Sequence, residues 1–273
     1  MLTDVHTHST FSADGETPLA DMLARARELG ISYYGIAEHF DYDYLTDGIL
    51  AEGKPVPMID AAAYFSQARR LQTAYAPQMR VLAGGEFGYT ANPAAHALYA
   101  RTIAQFSPDF VVNSVHTVNG KDAWFSEYFA GKTREKAYRT YLETVRESLD
   151  APYPYDIVAH IGYVARNAPY PDNLLRYADF PALFDDILSA IVAREKILEV
   201  NSSARGAGDF LPGCDILERY FALGGRMVSF GSDAHRIDRI AQGREKVVAA
   251  LQAIGFEGIT VPDCGTYVLV PFD

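Results

Sequence analysis

Short apolar runs of strand length recur along the chain at residues 2–6, 33–39, 81–87, 110–116, 157–161, 197–201 and 227–231. Most are continuous rather than alternating, the pattern of strands covered on both faces of a parallel sheet. Segments with helical spacing separate them. Thr17-Pro18 predicts a helix start, with Thr17 as cap and Pro18 in the first turn; Leu19, Leu23, Ala26 and Leu29 then share one face, and Gly30 closes the segment. Further helices are predicted at 61–75, 94–105, 134–149, 181–194, 214–223 and 239–254, and 267–270 reads as one more strand or a closing segment. Seven strand–helix units without a composition break predict a single α/β barrel-like domain over residues 1–273, with an open doubly wound sheet as the competing architecture. The stretch 40–60, rich in Asp, Gly and Pro, is expected to be a long functional or mobile loop.

Hydrophobic residues make up 49% of the chain, enough for a sizeable core. The formal net charge of −11 argues against a general binder of nucleic acid or anionic membranes, which use basic faces. An anionic substrate would need local cations to reverse that field, and bound metals can supply them. Cys214 and Cys264 are far apart and form no CxxC, so a reducing, cytoplasmic compartment is expected rather than a disulfide framework. The first residues carry no secretory pattern, and no apolar run is long enough to predict a membrane span.

The candidate chemistry lies where the apolar runs end. His6, His39, Glu86, His116, His160 and Asp233 sit at or just after a predicted strand, and His8, Asp14 and His235 follow in the adjoining loops. In a barrel the C-terminal strand ends converge on one face, so residues more than 200 positions apart can meet. Six of the seven histidines fall in this set; His96 lies in a predicted helix and is expected to face solvent. His6 and His8 share a face if the strand continues through them. Imidazoles with carboxylates suit zinc, iron or manganese, Glu86 and Asp233 can bridge or complete such coordination, and the absence of nearby cysteine excludes a Cys-type structural zinc site. Taken singly, each residue has a plainer reading: His116 as a satisfied polar group, Asp14 in Ser12-Ala13-Asp14-Gly15 as turn chemistry.

The motifs Asp4-Val5-His6-Thr7-His8, Ala37-Glu38-His39, Ser114-Val115-His116 and Gly231-Ser232-Asp233-Ala234-His235 resemble those of the PHP (polymerase and histidinol phosphatase) superfamily. Gly85-Glu86-Phe87, Tyr128 to Lys132, Ala137 to Tyr141, His160 to Val164 and Glu199 to Ser203 make the chain similar to its histidinol-phosphatase branch. The resemblance runs from residue 2 to about 245. It implies a distorted (β/α)7 TIM-like barrel with up to three divalent ions. His6, His8, Glu86 and Asp233 would hold the first ion; Glu86 would bridge to a second, completed by His116 and His160; Asp14, His39 and His235 would hold the third. Asp14 stands where some relatives have histidine. Arg166 and Arg205 match positions that tend to bind phosphate.

The implied activity is hydrolysis of L-histidinol phosphate to L-histidinol and phosphate in histidine biosynthesis. Phosphate monoesters need accelerations up to about 10²¹, which a metal cluster can supply by direct attack of a metal-bridging hydroxide. Asp233 or His235 is expected to relay the proton to the leaving group, and arginines to clamp the phosphate. Asp41, Tyr42 or Asp43 is expected to meet the amine and imidazole, and Trp124-Phe125 either walls the pocket or packs the core. Three other readings remain open: a PHP phosphoesterase for another small phosphate or a nucleotide, an amidohydrolase that uses a bridging carbamylated lysine, and a non-catalytic module.

Overall fold

The structure is a computed structural model and describes residues 1–272. Seven parallel strands form one sheet: β1 (Leu2–Asp4), β2 (Ile31–His39), β3 (Arg80–Gly88), β4 (Val111–Ser114), β5 (Ile157–Val158), β6 (Ile197–Asn201) and β7 (Val228–Gly231). They lie side by side in chain order, as successive right-handed βα units require. The sheet closes on itself. Val5 N–H donates to the Phe230 carbonyl at 3.1 Å, Asp233 N–H to His6 at 2.8 Å and His8 N–H to Ala234 at 2.9 Å. This stitching of the first strand to the last rules out the open doubly wound sheet. The fold is a seven-stranded TIM-like barrel.

Helices α1 (Leu19–Glu28), α2 (Ala61–Tyr75), α3 (Pro93–Phe106), α4 (Arg134–Ser148), α5 (Pro181–Ala193), α6 (Cys214–Ala222) and α7 (Arg244–Ile254) surround the strands. Asp60, Asn92 and Thr133 cap α2, α3 and α4 by accepting from backbone N–H groups of the first turn. The cap predicted at Thr17 does not form; Thr17 Oγ1 instead accepts from Ile237 N–H at 3.2 Å and ties two loops together. The last helix begins five residues later than predicted because Gly243, at φ 75°, breaks the run. A closing hairpin of β8 (Gly258–Asp263) and β9 (Thr266–Pro271) contains the predicted 267–270 strand; its partner, which carries Pro262, was not anticipated. The 40–60 stretch is not structureless: it folds into a short helix, Tyr42–Asp47, and a hairpin of Leu50–Ala51 with Lys54–Pro55. Among the described residues no helix is long and apolar enough to cross a membrane.

One glycine shows how closely the barrel interior is packed. A Cβ at Gly231 would sit 2.3 Å from Glu199 Oε1 and 2.6 Å from His6 Cβ. Only glycine at that point of β7 lets a carboxylate from β6 reach a histidine beyond β1.

Candidate metal centre

Strand alternation aims alternate residues at opposite sides of the sheet, and β2 uses both. His39 turns toward the barrel mouth. Glu38 faces away, accepting from Ser9 N–H at 3.1 Å and from the hydroxyls of Ser9 and Ser12, each at 2.5 Å. Glu38 is therefore no part of the histidine cluster, although its motif pointed there; it staples the loop that carries Asp14. Asp4 plays the same part opposite, accepting from Ser232 N–H and Oγ at 3.0 and 2.6 Å and from Ala241 N–H at 2.9 Å. Burial pushes Asp4 up to about 6 despite those hydrogen bonds.

All nine expected ligand residues lie at the barrel mouth. Fully buried Glu86, on β3, is the hub. Its oxygens lie 3.3 Å from His6 Nε2, 3.7 Å from His8 Nε2, 3.0 Å from His39 Nδ1, 3.2 Å from His116 Nε2 and 2.9 Å from His160 Nε2. Asp233 Oδ1 is 3.3 Å from His8 Nε2. Asp14 lies 3.2 Å from His235 Nε2 and 3.7 Å from His39 Nε2, and those two nitrogens face each other at 3.4 Å. Asp233 is held at φ 53°, left-handed backbone that a non-glycine residue seldom adopts, and such strain gathers at functional sites.

Several of these atoms are buried without a hydrogen-bond partner: His6 Nε2, His8 Nε2, His39 Nδ1 and Glu86 Oε2, as is the other ring nitrogen of His160, Nδ1. Buried polar atoms of a native fold are rarely left so. Three histidines are oriented from behind, as metal ligands commonly are. His6 Nδ1 meets Glu199 Oε1 at 2.5 Å, His8 Nδ1 meets Ser12 Oγ at 3.3 Å, and His116 Nδ1 meets Asp41 Oδ1 at 3.4 Å. Ligand atoms of His6, His8 and Glu86 lie within 4.8 Å of one another, as do those of Glu86, His116 and His160, of His8, His39 and His235, and of His39, Asp41 and His116. These donors fit divalent metal ions.

Charge in the cluster follows the same geometry. Burial opposes protonation of His6, but the Glu199 and Glu86 carboxylates outweigh it and raise its pKa well above the usual histidine range. Burial, together with His235 and His39, holds His8 well below that range. Burial would favour the neutral acid at Asp233, yet Arg166 and the imidazoles hold its pKa well below the usual carboxylate value.

Arg166 and Arg205 both line the mouth, a cavity of about 550 Å³. Buried Arg166 pairs with Asp233 Oδ2 and Asn201 Oδ1, both at 2.9 Å, and its guanidinium lies over Tyr163. Exposed Arg205 lies over Trp124, 4.6 Å from the ring centroid. Trp124 and Phe125 wall the cavity. Of the loop residues expected near the amine, only Asp41 lines it; Asp43 is buried against Thr117, and Tyr42 pairs with Thr102. His96 does not simply face solvent, since its Nε2 meets the Thr90 carbonyl at 2.6 Å and its ring packs on Tyr89 and Tyr153. Glu199, which meets His6, is absent from the expected site residues although a lone acid inside the apolar run of β6 is its signal, and Asp41, expected only against the substrate, also orients His116.

A closed parallel barrel with histidines and carboxylates gathered at its C-terminal strand ends defines a metal-binding α/β-barrel protein. A family model described as "PHP domain" matches residues 4–203, and the chain belongs to that family. It is 28% identical to a probable histidinol-phosphatase of Thermotoga maritima, with 94% of each chain covered. It is 27% identical to a histidinol-phosphatase of Lactococcus lactis, covering 93% of this chain and 91% of that one. Among solved structures, the fold matches the Lactococcus lactis histidinol phosphate phosphatase complexed with zinc, L-histidinol and phosphate. The TM-score is 0.85, with 24% identity and 98% of each chain covered.

Proposed function

We propose that this chain hydrolyses L-histidinol phosphate to L-histidinol and phosphate, residues 1–273 forming one metal-dependent phosphoesterase domain that works in the cytoplasm. The observation that carries the reading is the set of partnerless, buried imidazole and carboxylate atoms converging on Glu86 beneath two arginines. It is supported by similarity to histidinol-phosphatases along about nine-tenths of the chain. Both cysteines are free and exposed, in keeping with a reducing compartment.

His6, His8, Glu86 and Asp233 would hold one ion, Glu86, His116 and His160 a second, and Asp14, His39 and His235 a third. Divalent zinc, iron or manganese supplies Lewis acidity and activates water there. The protein's own groups do the rest. Glu199, Ser12 and Asp41 fix imidazole tautomers. Arg166 and Arg205 bind the phosphoryl oxygens, Arg166 from a fixed position beside Asp233. Asp233 would serve as a ligand and, with His235, as a proton relay at the edge of the cluster. His235, half-buried on the rim, is placed to pass a proton to the leaving alkoxide. Asp41, at the cavity wall, is placed to meet the cationic end of the substrate.

The test is a panel of histidinol phosphate, nucleoside monophosphates and a short oligonucleotide, assayed with metal-reconstituted protein. The expected result is a clear preference in kcat/KM for histidinol phosphate and loss of turnover on chelation. Equal turnover across the panel would overturn the substrate assignment.

A further inference from the structure

The two arginines at the cavity mouth are held very differently. The Arg166 guanidinium has carboxylate and amide partners. Among the described residues, no carboxylate or carbonyl pairs with that of Arg205, whose one specific contact is the face of Trp124. Arg205 also stands on an unusual piece of backbone. It adopts φ 49°, and Gly206 and Gly208 follow at φ 91° and 104°. Ala204 and Ala207 are buried on either side, with Ala207 N–H donating to the Ala204 carbonyl at 2.9 Å, so the turn is pinned at its feet while Arg205 projects freely. A long, flexible cation on such a turn would sweep a wide volume unless something outside the turn held it.

Trp124 is built to hold it. Its backbone N–H donates to Asp122 Oδ1 at 2.7 Å, and its carbonyl accepts from Asn167 Nδ2 at 3.3 Å. Asp122 is itself fixed by the hydroxyls of Tyr44 and Tyr163. The indole lies 6.1 Å from the Tyr163 ring, and Tyr163 in turn lies under Arg166. The result is a ladder, Arg166–Tyr163–Trp124–Arg205, that spaces two guanidinium groups across one cavity. An aromatic face attracts a guanidinium while leaving all its N–H donors free for an anion, which a carboxylate partner would not.

We propose that Trp124 is a positioning residue for substrate binding: its indole face presents Arg205, donors outward, to the phosphoryl group, in place of the ion pair that Arg205 lacks. The proposal rests on the reading of Arg205 as a phosphate-binding residue. The ring touches no reacting atom; it spares the ligand the ordering of a loose arginine, so it acts on binding far more than on turnover.

The test uses metal-loaded protein and inorganic phosphate, with affinity read by calorimetry beside steady-state kinetics. Trp124→Leu is expected to weaken phosphate binding and raise KM by about tenfold, with little change in kcat or metal content. Trp124→Phe, which keeps an aromatic face, should recover most of the loss. In an Arg205→Ala background, Trp124→Leu should cause no further loss, since its effect runs through that arginine. Trp124 is the chain's single tryptophan, so saturating phosphate should change the emission of the parent protein but not that of Arg205→Ala. If Arg205→Ala weakens phosphate binding while Trp124→Leu binds it within twofold of the parent, the positioning role is wrong and the phosphatase reading stands. Additive losses in the double variant would also overturn it. If Arg205→Ala binds phosphate as tightly as the parent, the positioning role falls with the phosphate-binding role of Arg205 while the phosphatase reading stands; if the metal-loaded parent does not bind phosphate, both fall.

Discussion

The floor of the cavity and its rim hold their functional groups by different means. On the floor, His6, His8, Glu86 and His160 stand at strand ends, almost wholly removed from solvent, each aimed by a buried neighbour or by the barrel backbone. On the rim, the Asp14 carboxylate is 62% exposed, His235 is half-buried, and Arg205 rides on a turn held by an aromatic face. The floor therefore has few degrees of freedom to lose when it binds an ion. The rim has many, and its affinity depends on contacts that limit them. Geometry fixed by strands suits coordination chemistry, which tolerates little error in distance; loops suit substrate recognition, where shape must adapt, and here they also lend Asp14 and His235 to the proposed third ion.

The hardest blow to the floor is removal of its hub. Glu86→Gln keeps the shape but not the charge, and is expected to lose bound metal and to lower kcat by on the order of 10²–10³-fold. Elemental analysis beside steady-state kinetics checks both, and unchanged metal content with full turnover would break the contrast.

Beneath the floor, Asp4 provides a pH signature. Its pKa is about 6 in the fold against the ordinary 3.8, so between those values the folded state binds the proton more tightly. The stabilisation is fully present below pH 3.8 and is lost as pH rises through 6, by up to about 3 kcal/mol. The side-chain amide of an Asp4→Asn variant cannot titrate. Urea unfolding of metal-free protein should therefore show the stability gap moving in favour of that variant as pH rises from about 4 to about 6. A gap that is flat over this range would contradict the buried, proton-favouring environment.

Glu199 sharpens the comparison, because it reaches the floor only through His6. Glu199→Gln is expected to weaken metal binding by about 10–100-fold while leaving phosphate affinity of the fully loaded protein near that of the parent. Competition with a chromophoric chelator measures the first quantity and calorimetry the second. On the rim, Arg205→Ala should raise KM by about tenfold without loss of metal; loss of metal in that variant would mean that floor and rim are not separable.

Much of this was legible along the chain. Strands buried on both faces leave continuous apolar runs, and all seven runs became barrel strands. The residue types there named the chemistry, since six histidines with acids at successive strand ends and in the loops just beyond them suit few roles other than metal. The same logic could not say which neighbour would turn inward. In Glu38-His39 the periodicity is shared, and only the register of β2 sends His39 to the cluster and Glu38 to Ser9 and Ser12. The 40–60 stretch looked open because its two short elements leave almost no periodic signal.

By itself the sequence determined the strand–helix order, the ligand types and membership of the PHP family, because local periodicity and motif spacing are properties of the chain alone. Tertiary structure decided the rest. Barrel closure joined β1 to β7 and set Glu199 against His6, 193 residues apart in sequence. It also left Arg205 without a charged partner and laid it on Trp124. Such contacts depend on where strands come to lie in space, and nothing in the spacing of residues along the chain encodes which side chains will face each other across it.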